Sequence, residues 1–354
     1  MAELLLDSLE IRGYRCFEHL TIEKLGRVNL IVGKNNVGKT ALLEALWIYA
    51  NGGYEHLMFE ILRARNEIPP FQEGKYLVQP ESSRGLRNLF YNRPSLHYLP
   101  EDIPEHLAEK LNIQIGEIGV EENKPKYLTK ILKLVGEREQ SESSDSIPSI
   151  RRENRNNLFS DANSKLNNYF INSKGIADSK LVEFWDFIEK FVQEDLIINA
   201  LNIIAPNVKD IRFSGYPNGS FSRIPVVRLE NASERFPLRS MGDGMVRILG
   251  LSSALVRCSE GLLLIDEVES GFHYSILPDV WKLIFKTAKD LNVQVFATTH
   301  SKDCIEAFTQ AAIDDKESKG MLIRLERNKE DKIIAKSFNE ENLETITRRD
   351  IEVR

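Results

Sequence analysis

Cysteine is scarce in this chain. Its 354 residues hold three, Cys16, Cys258 and Cys304, spaced too far apart for any Cys-x-x-Cys pair. Nothing here suggests a disulfide framework or a cysteine-ligated zinc, and the usage fits a reducing compartment. Long apolar runs are also missing, because charges interrupt each one before it reaches the length of a membrane span. The start, Met1-Ala2-Glu3-Leu4-Leu5-Leu6-Asp7, is acidic, and its apolar run is too short for a secretory signal. The expected location is the cytoplasm, with no membrane partner. Positive charge is not in excess either: 47 Lys and Arg face 53 Asp and Glu, a net charge of −6. That balance argues against a chain coated for non-specific nucleic-acid binding and leaves room only for a local basic patch. No internal repeat and no long heptad array are present, which argues against extended coiled-coil arms.

What is there begins at residue 33. Gly33-Lys34-Asn35-Asn36-Val37-Gly38-Lys39-Thr40 is a complete G-x-x-x-x-G-K-[ST] phosphate loop. Eight-residue matches arise by chance, so the flanks matter. Arg27 to Val32 is a short apolar strand, and Ala41 to Trp47 has a helical period. Strand, glycine loop and helix start together form an anion nest, with backbone N–H groups and the positive end of the helix dipole facing phosphates. The expected cofactors are ATP and Mg²⁺. Gly33, Asn35, Asn36 and Gly38 would shape the cradle, Lys39 would reach the β- and γ-phosphates, and the Thr40 hydroxyl would hold the metal.

A second group of motifs lies more than 200 residues downstream. Leu262 to Ile265 is wholly apolar and ends in Asp266-Glu267. Adjacent carboxylates at the end of a parallel strand point in different directions. Asp266 is therefore expected at the metal and Glu267 as the general base that positions the attacking water; the plainer alternative is a solvated acidic turn. The next apolar strand, Val293 to Ala297 with Gln294 as its one polar member, runs into Thr298-Thr299-His300-Ser301. His300 there would bond the γ-phosphate or the water. Ser240-Met241-Gly242-Asp243-Gly244 precedes an apolar helix and offers a further phosphate site at a helix N-terminus. Since the chain already has its own phosphate loop, this one is expected to serve ATP held by another subunit. Ser240 or Asp243 is also expected to cap the helix over Met245 to Leu255.

The remaining organisation is coarser. Residues 1–53 are expected as an N-terminal β lobe carrying the phosphate loop. Residues 54–204 are expected as an insertion with a strand over Leu111 to Ile118, a polar, mobile segment near 136–164, and an amphipathic helix through Leu181, Val182, Phe184, Trp185, Phe187, Ile188, Phe191 and Val192. Residues 205–310 hold the second group of motifs, with strand–helix–strand order from Leu262 to Ala297, as in a parallel sheet. Residues 311–354 read as a hairpin and a charged tail.

With these motifs in this order, the chain resembles an ABC-type ATPase head of the SMC/RecF/OLD group, a class often grouped under AAA-family ATP-binding proteins. The resemblance rests on Ile11-Arg12-Gly13-Tyr14-Arg15-Cys16-Phe17, the phosphate loop, Ser240 to Gly244, Asp266 to His273, and Thr298 to Ser301. It implies an α/β fold, a P-loop NTPase of ABC-ATPase type with an N-terminal antiparallel β subdomain and an α-rich insertion. It also implies two subunits closing on two ATP molecules. Ser240 and Gly242 would touch the γ-phosphate across the dimer, Glu269-Ser270-Gly271 would form the D-loop, and His300 would be the switch histidine. The Ser-Met-Gly-Asp-Gly signature differs from the transporter Leu-Ser-Gly-Gly-Gln, so a transporter subunit is not implied. Gln72 and Gln79 lie in the interval expected for a Q-loop but lack its context. No TOPRIM nuclease half follows, so nuclease or toxin chemistry would need another polypeptide. Similar heads serve as ATPase components of bacterial anti-phage systems such as PARIS, which suggests a sensor or switch with a separate effector. The alternatives are a RecF-like DNA-repair ATPase, with Arg84, Arg87, Arg93, Arg151, Arg152 and Arg155 as a DNA-facing patch, and a slow ATP-bound scaffold.

Overall fold

The computed structural model describes residues 3–69, 85–94, 111–119, 127–139, 147–153, 166–190, 194–215 and 223–343. The chain opens with a tight hairpin. Leu9–Tyr14 (β1) and Phe17–Ile22 (β2) pair antiparallel, with Tyr14 opposite Phe17 and Arg15 in the left-handed region at the turn. Val28–Val32 (β3) then runs fully buried into the phosphate loop and the helix Lys39–Ala50 (α1), and Glu55–Ala64 (α2) follows. The helix stops at Asn51-Gly52-Gly53: Asn51 is the C-cap, and both glycines have positive φ.

The insertion is more β-rich than its sequence suggests. Asn112–Gly119 (β4), Tyr127–Glu139 (β5) and Ile147–Glu153 (β6) extend the first hairpin into one antiparallel sheet of order β2-β1-β4-β5-β6. The join is β1 to β4, with Ile11 opposite Ile115. The polar segment near 136–164 is thus not a continuous loop, because residues 136–139 belong to β5 and 147–153 to β6; its remainder lies outside the described residues. Strand pairing is made by the backbone, and an edge strand such as β6 needs little apolar content, since polar residues protect an open edge. That is why composition read as a loop. The insertion also supplies Asn168–Ile171 (β7), Asp178–Lys190 (α3) and Glu194–Leu201 (α4).

Val208–Gly215 (β8), Arg223–Leu229 (β9) and Phe236–Pro237 (β10) form a small antiparallel sheet. The helix Asp243–Arg257 (α5) leads into Leu262–Ile265 (β11), Leu277–Asp290 (α6), Gln294–Thr298 (β12), Lys302–Asp314 (α7), Gly320–Arg327 (β13) and Ile333–Phe338 (β14). The central sheet has the order β14-β13-β3-β12-β11-β7. All its pairs are parallel except β13 with β14. Strands from distant segments therefore build one sheet. The C-terminal hairpin is part of it, with Gly320 opposite Val28 and Arg324 opposite Val32.

Alternation explains the unbroken apolar strands. Ile31, Leu262, Leu264 and Phe296 face a core shared with α1 and the N-terminal sheet. Val28, Leu30, Val32, Leu263, Ile265, Val295 and Ala297 face a second core with α3, α5, α6 and α7. Both faces are covered, so neither tolerates a polar residue without a partner. Full burial of each large aliphatic side chain contributes roughly 1.5–3 kcal/mol.

Gln294, the polar exception in its strand, is 1% exposed. Its Oε1 accepts from Leu6 N–H at 3.0 Å, and its Nε2 donates to Leu6 O at 2.7 Å and Gly26 O at 2.9 Å. It fastens the N-terminal segment to the central sheet. Gln294→Leu should strand the buried Leu6 amide and carbonyl and lower unfolding stability by about 2–4 kcal/mol. Urea denaturation checks this; an unchanged midpoint would contradict it.

Candidate nucleotide site

Parallel strands put their C-terminal ends at one edge of the sheet, and the phosphate loop, Asp266-Glu267 and Thr298 to His300 all leave from that edge. The loop demands glycine at its two ends. At Gly33, φ is 143° and a Cβ would stand 2.4 Å from Leu325 O. At Gly38, φ is 92° and a Cβ would stand 2.6 Å from Cys16 Sγ and 2.8 Å from Phe17 Cζ. Asn36 is also left-handed. Gly38 is the N-cap of α1 and supplies no side-chain cap, so the first-turn amides are left to an anion. Lys39 folds over the loop, donating to Gly33 O at 2.7 Å and Lys34 O at 3.1 Å. Burial lowers the pKa of its ammonium, against the pull of Asp266, Glu267 and Glu269 nearby.

Asp266 is the meeting point. Thr40 Oγ1 donates to its two oxygens at 3.3 and 3.2 Å, and Thr298 Oγ1 donates to Oδ1 at 2.6 Å. Thr298 Oγ1 also accepts the Glu267 amide at 2.9 Å, fixing the turn in which Glu267 takes a positive φ. Glu267 Oε2 accepts from Ser270 Oγ at 3.3 Å, and its Oε1 lies 3.9 Å from His300 Nδ1. Lys39, Thr40, Asp266, Glu267, Thr298 and His300 all line one cleft of about 800 Å³. Asn35, Asn36 and Gly38 line it too. Thr298 was not singled out from the sequence. It stands first in the Thr298 to Ser301 motif, but no role follows from the motif because its partner is 32 residues away across the β11–β12 register.

The other wall of the cleft comes from the first hairpin, the residues just after α2, the residues around and after the 3-10 turn Leu86–Leu89, and the C-terminal hairpin, including Arg15, Arg65, Tyr91, Arg93 and Arg327. Buried Glu44 of α1 anchors this wall. Its oxygens lie 3.0 Å from Arg15 Nε and 2.6 Å from Arg65 Nε, and Arg15 also pairs with Glu67 at 2.9 Å. Burial by itself would lower the Arg15 pKa; the Tyr14, Glu44 and Glu67 oxygens outweigh it and hold the guanidinium above its ordinary range.

The structure does not bring Ser240 and Gly242 into this cleft. Ser240 Oγ donates to Pro237 O at 2.6 Å. The cap of α5 differs from expectation: Gly242 is the N-cap, with φ 103° and no side-chain cap, while Asp243, 88% exposed, is already in the helix. Neither Ser240 nor Asp243 caps, because the glycine conformation starts the helix between them. An added Cβ on Gly242 would meet nothing within 4 Å, and its amide stays within the turn, donating to Arg239 O at 3.1 Å. Arg247, one turn on, donates to Glu267 O at 3.3 Å and Asn172 O at 3.2 Å, locking α5 to the Glu267 turn. Of the arginines considered for DNA, Arg93 lines the nucleotide cleft and Arg87 lies in the short 3-10 turn Leu86–Leu89. Arg84 and Arg155 fall outside the described residues, as do Gln72 and Gln79, and Arg151 and Arg152 are described only as backbone of β6. Among the described residues, no group of His, Cys, Asp and Glu could hold a further metal, and no helix is long and apolar enough to cross a membrane.

This combination of phosphate loop, acidic strand end, histidine strand end and antiparallel N-terminal sheet defines an ABC-type ATPase head of the SMC/RecF class. The chain belongs to the family described as "AAA domain, putative AbiEii toxin, Type IV TA system", whose model matches residues 28–303. It is 23% identical over 376 residues to an "ATP/GTP phosphatase" of Helicobacter pylori, covering 96% of this chain and 97% of that protein. It is 39% identical to the DNA replication and repair protein RecF of Thioalkalivibrio sulfidiphilus, but over 49 residues, 14% of each chain. In fold it is similar to an SMC head bound to the C-winged helix domain of ScpA (TM-score 0.55, 13% identity, 96% of this chain and 99% of that one). It is also similar to an SMC head with an extended coiled coil, bound to the C-terminal domain of ScpA derived from Pyrococcus furiosus (TM-score 0.52, 12% identity, 98% and 99%).

Lys39→Ala should weaken ATP binding at least about 100-fold, or about 2.8 kcal/mol, the worth of one or two hydrogen bonds to charge. Titration of a fluorescent ATP analogue reads this; wild-type affinity in the variant would remove Lys39 from the site.

Proposed function

We propose that the chain binds Mg-ATP in the Lys39 cleft, hydrolyses it, and does so between two copies of itself, acting as a sensor or switch for a separate effector in anti-phage defence. The observation that carries the first part is the convergence of Thr40 and Thr298 on Asp266 beside Lys39. The Thr40 hydroxyl and the Asp266 carboxylate are hard oxygen donors on one edge of the loop, which suits Mg²⁺, an ion that keeps several waters and takes few protein ligands. When bound, the ion supplies positive charge against the β- and γ-phosphate oxygens.

The remaining work falls to the chain's own groups. Gly33, Asn35, Asn36 and Gly38 present backbone N–H groups to the phosphates, and the Lys39 ammonium exchanges its two carbonyl partners for phosphate oxygens. Thr298 holds Asp266 and the Glu267 amide, so both carboxylates keep a fixed spacing. Glu267, free to reach the cleft, accepts the proton of the attacking water. His300 donates to the γ-phosphate or orients that water. The phosphatase name of the full-length Helicobacter pylori relative supports hydrolysis.

Self-association is supported by the signature segment. Its uncapped helix N-terminus, with Gly242 facing open space, is an anion site that the chain's own cleft does not use. A second copy's γ-phosphate fits it, with Ser240 turning from Pro237 O to the phosphate. The switch and effector reading is supported by the toxin–antitoxin description of the family and by the resemblance to anti-phage ATPases. No described residue favours DNA as a partner over the nucleotide.

Glu267→Gln should keep ATP affinity within about threefold and lower turnover by roughly 10²–10⁴; normal turnover would remove Glu267 as the base. Ser240→Arg should leave binding to the dilute protein intact and abolish the rise of specific activity with protein concentration. A variant whose activity still rises as in wild type would contradict hydrolysis between copies.

A further inference from the structure

His300 does not stand alone at the end of β12. The carboxylate of Glu269, three residues past Asp266, sits behind it. Its Oε1 accepts the His300 amide at 3.2 Å and lies 3.5 Å from His300 Nδ1. The side chain is 14% exposed, and Glu269 is not among the residues that line the cleft. Its other oxygen, Oε2, is buried and has no hydrogen-bond partner among the described residues.

A buried acceptor left unpaired costs about 1–3 kcal/mol, and more when it carries charge. Stability alone would replace such a carboxylate with an apolar side chain. Its neighbour makes the contrast plain. Glu267 flanks the same imidazole nitrogen but is 42% exposed and opens onto the cleft. Glu267 can meet water in the cleft; among the described residues, the Glu269 carboxylate makes its close polar contacts with His300.

We infer that Glu269 is the positioning residue of His300: it pins the histidine's backbone through Oε1 and takes the imidazole Nδ1–H, so that Nε2 is the nitrogen presented to the nucleotide's γ-phosphate or its attacking water. The 3.5 Å gap closes to a hydrogen bond with a small rotation of the ring, as catalytic hydrogen bonds commonly do when ligand binds. Both approaches are to Oε1, which has lone pairs for the amide and the ring. A carboxylate behind a working histidine fixes its tautomer and orientation. This inference rests on the assignment of His300 to the phosphate end of the cleft.

The test uses the full chain and four proteins: wild type, H300A, E269Q and E269Q/H300A. Glutamine keeps the shape and one acceptor, so the variant should fold with an unfolding midpoint no lower than wild type. E269Q should lower kcat about 10–100-fold with KM within about threefold, as for loss of the hydrogen-bond partner behind a metal-bound histidine. The double variant should be no slower than H300A, because the two residues act as one unit. A wild-type kcat in E269Q while H300A is slow overturns the inference and leaves His300 in place. A double variant slower than H300A by the full E269Q factor also overturns it. A wild-type kcat in H300A overturns the assignment of His300 itself.

Discussion

The site depends on one carboxylate held by two threonines. Asp266 directly follows β11, Thr298 ends β12, and Thr40 lies in the first turn of the helix that follows β3. Those three strands are hydrogen-bonded neighbours in the order β3-β12-β11, with Ile31 opposite Thr298 and Ala297 opposite Ile265. A one-residue slip in either pairing would turn every alternate side chain to the wrong core and pull the threonines off Asp266 together. The apolar cores that fix the register therefore also fix the chemistry. The energy lies in the cores, and the small polar triad at the sheet edge inherits its geometry from them.

The same economy joins the Lys39 cleft to the helix proposed to serve a second copy's nucleotide. Arg247 of α5 bonds the carbonyl of Glu267, whose amide is held by Thr298, which in turn holds Asp266. The helix that begins at Gly242 is thus connected to the carboxylates through three hydrogen bonds. Burial lowers the Arg247 pKa while Glu267, Glu269 and Asp266 pull it back up, so the guanidinium is held by the acidic turn it supports. A contact at the outer end of α5 has a direct mechanical route to the group proposed as the base.

The parts legible in the sequence were those whose chemistry is local. The phosphate loop, the Asp266-Glu267 strand end and the His300 strand end each carry their signal within a few residues, and the parallel strands around them are apolar because both faces are covered. What was not legible depends on distant partners. β6 and residues 136–139 of β5 read as polar chain because an edge of a sheet is paid for by backbone hydrogen bonds. β7 is four residues long, too short for its period to show. Thr298 and Glu269 gain their roles only when β11 and β12 lie side by side. The cap of α5 is not legible because Gly242, with positive φ, starts the helix ahead of Asp243 and past Ser240.

The central claim is that one copy's phosphate loop and another's Gly242 segment enclose the same nucleotide. The most direct measurement is the solution mass of Glu267→Gln by light scattering, with and without Mg-ATP. The account predicts a protein that doubles in mass only when Mg-ATP is present. An unchanged mass at saturating Mg-ATP, or a fixed assembly that ignores the nucleotide, would contradict it.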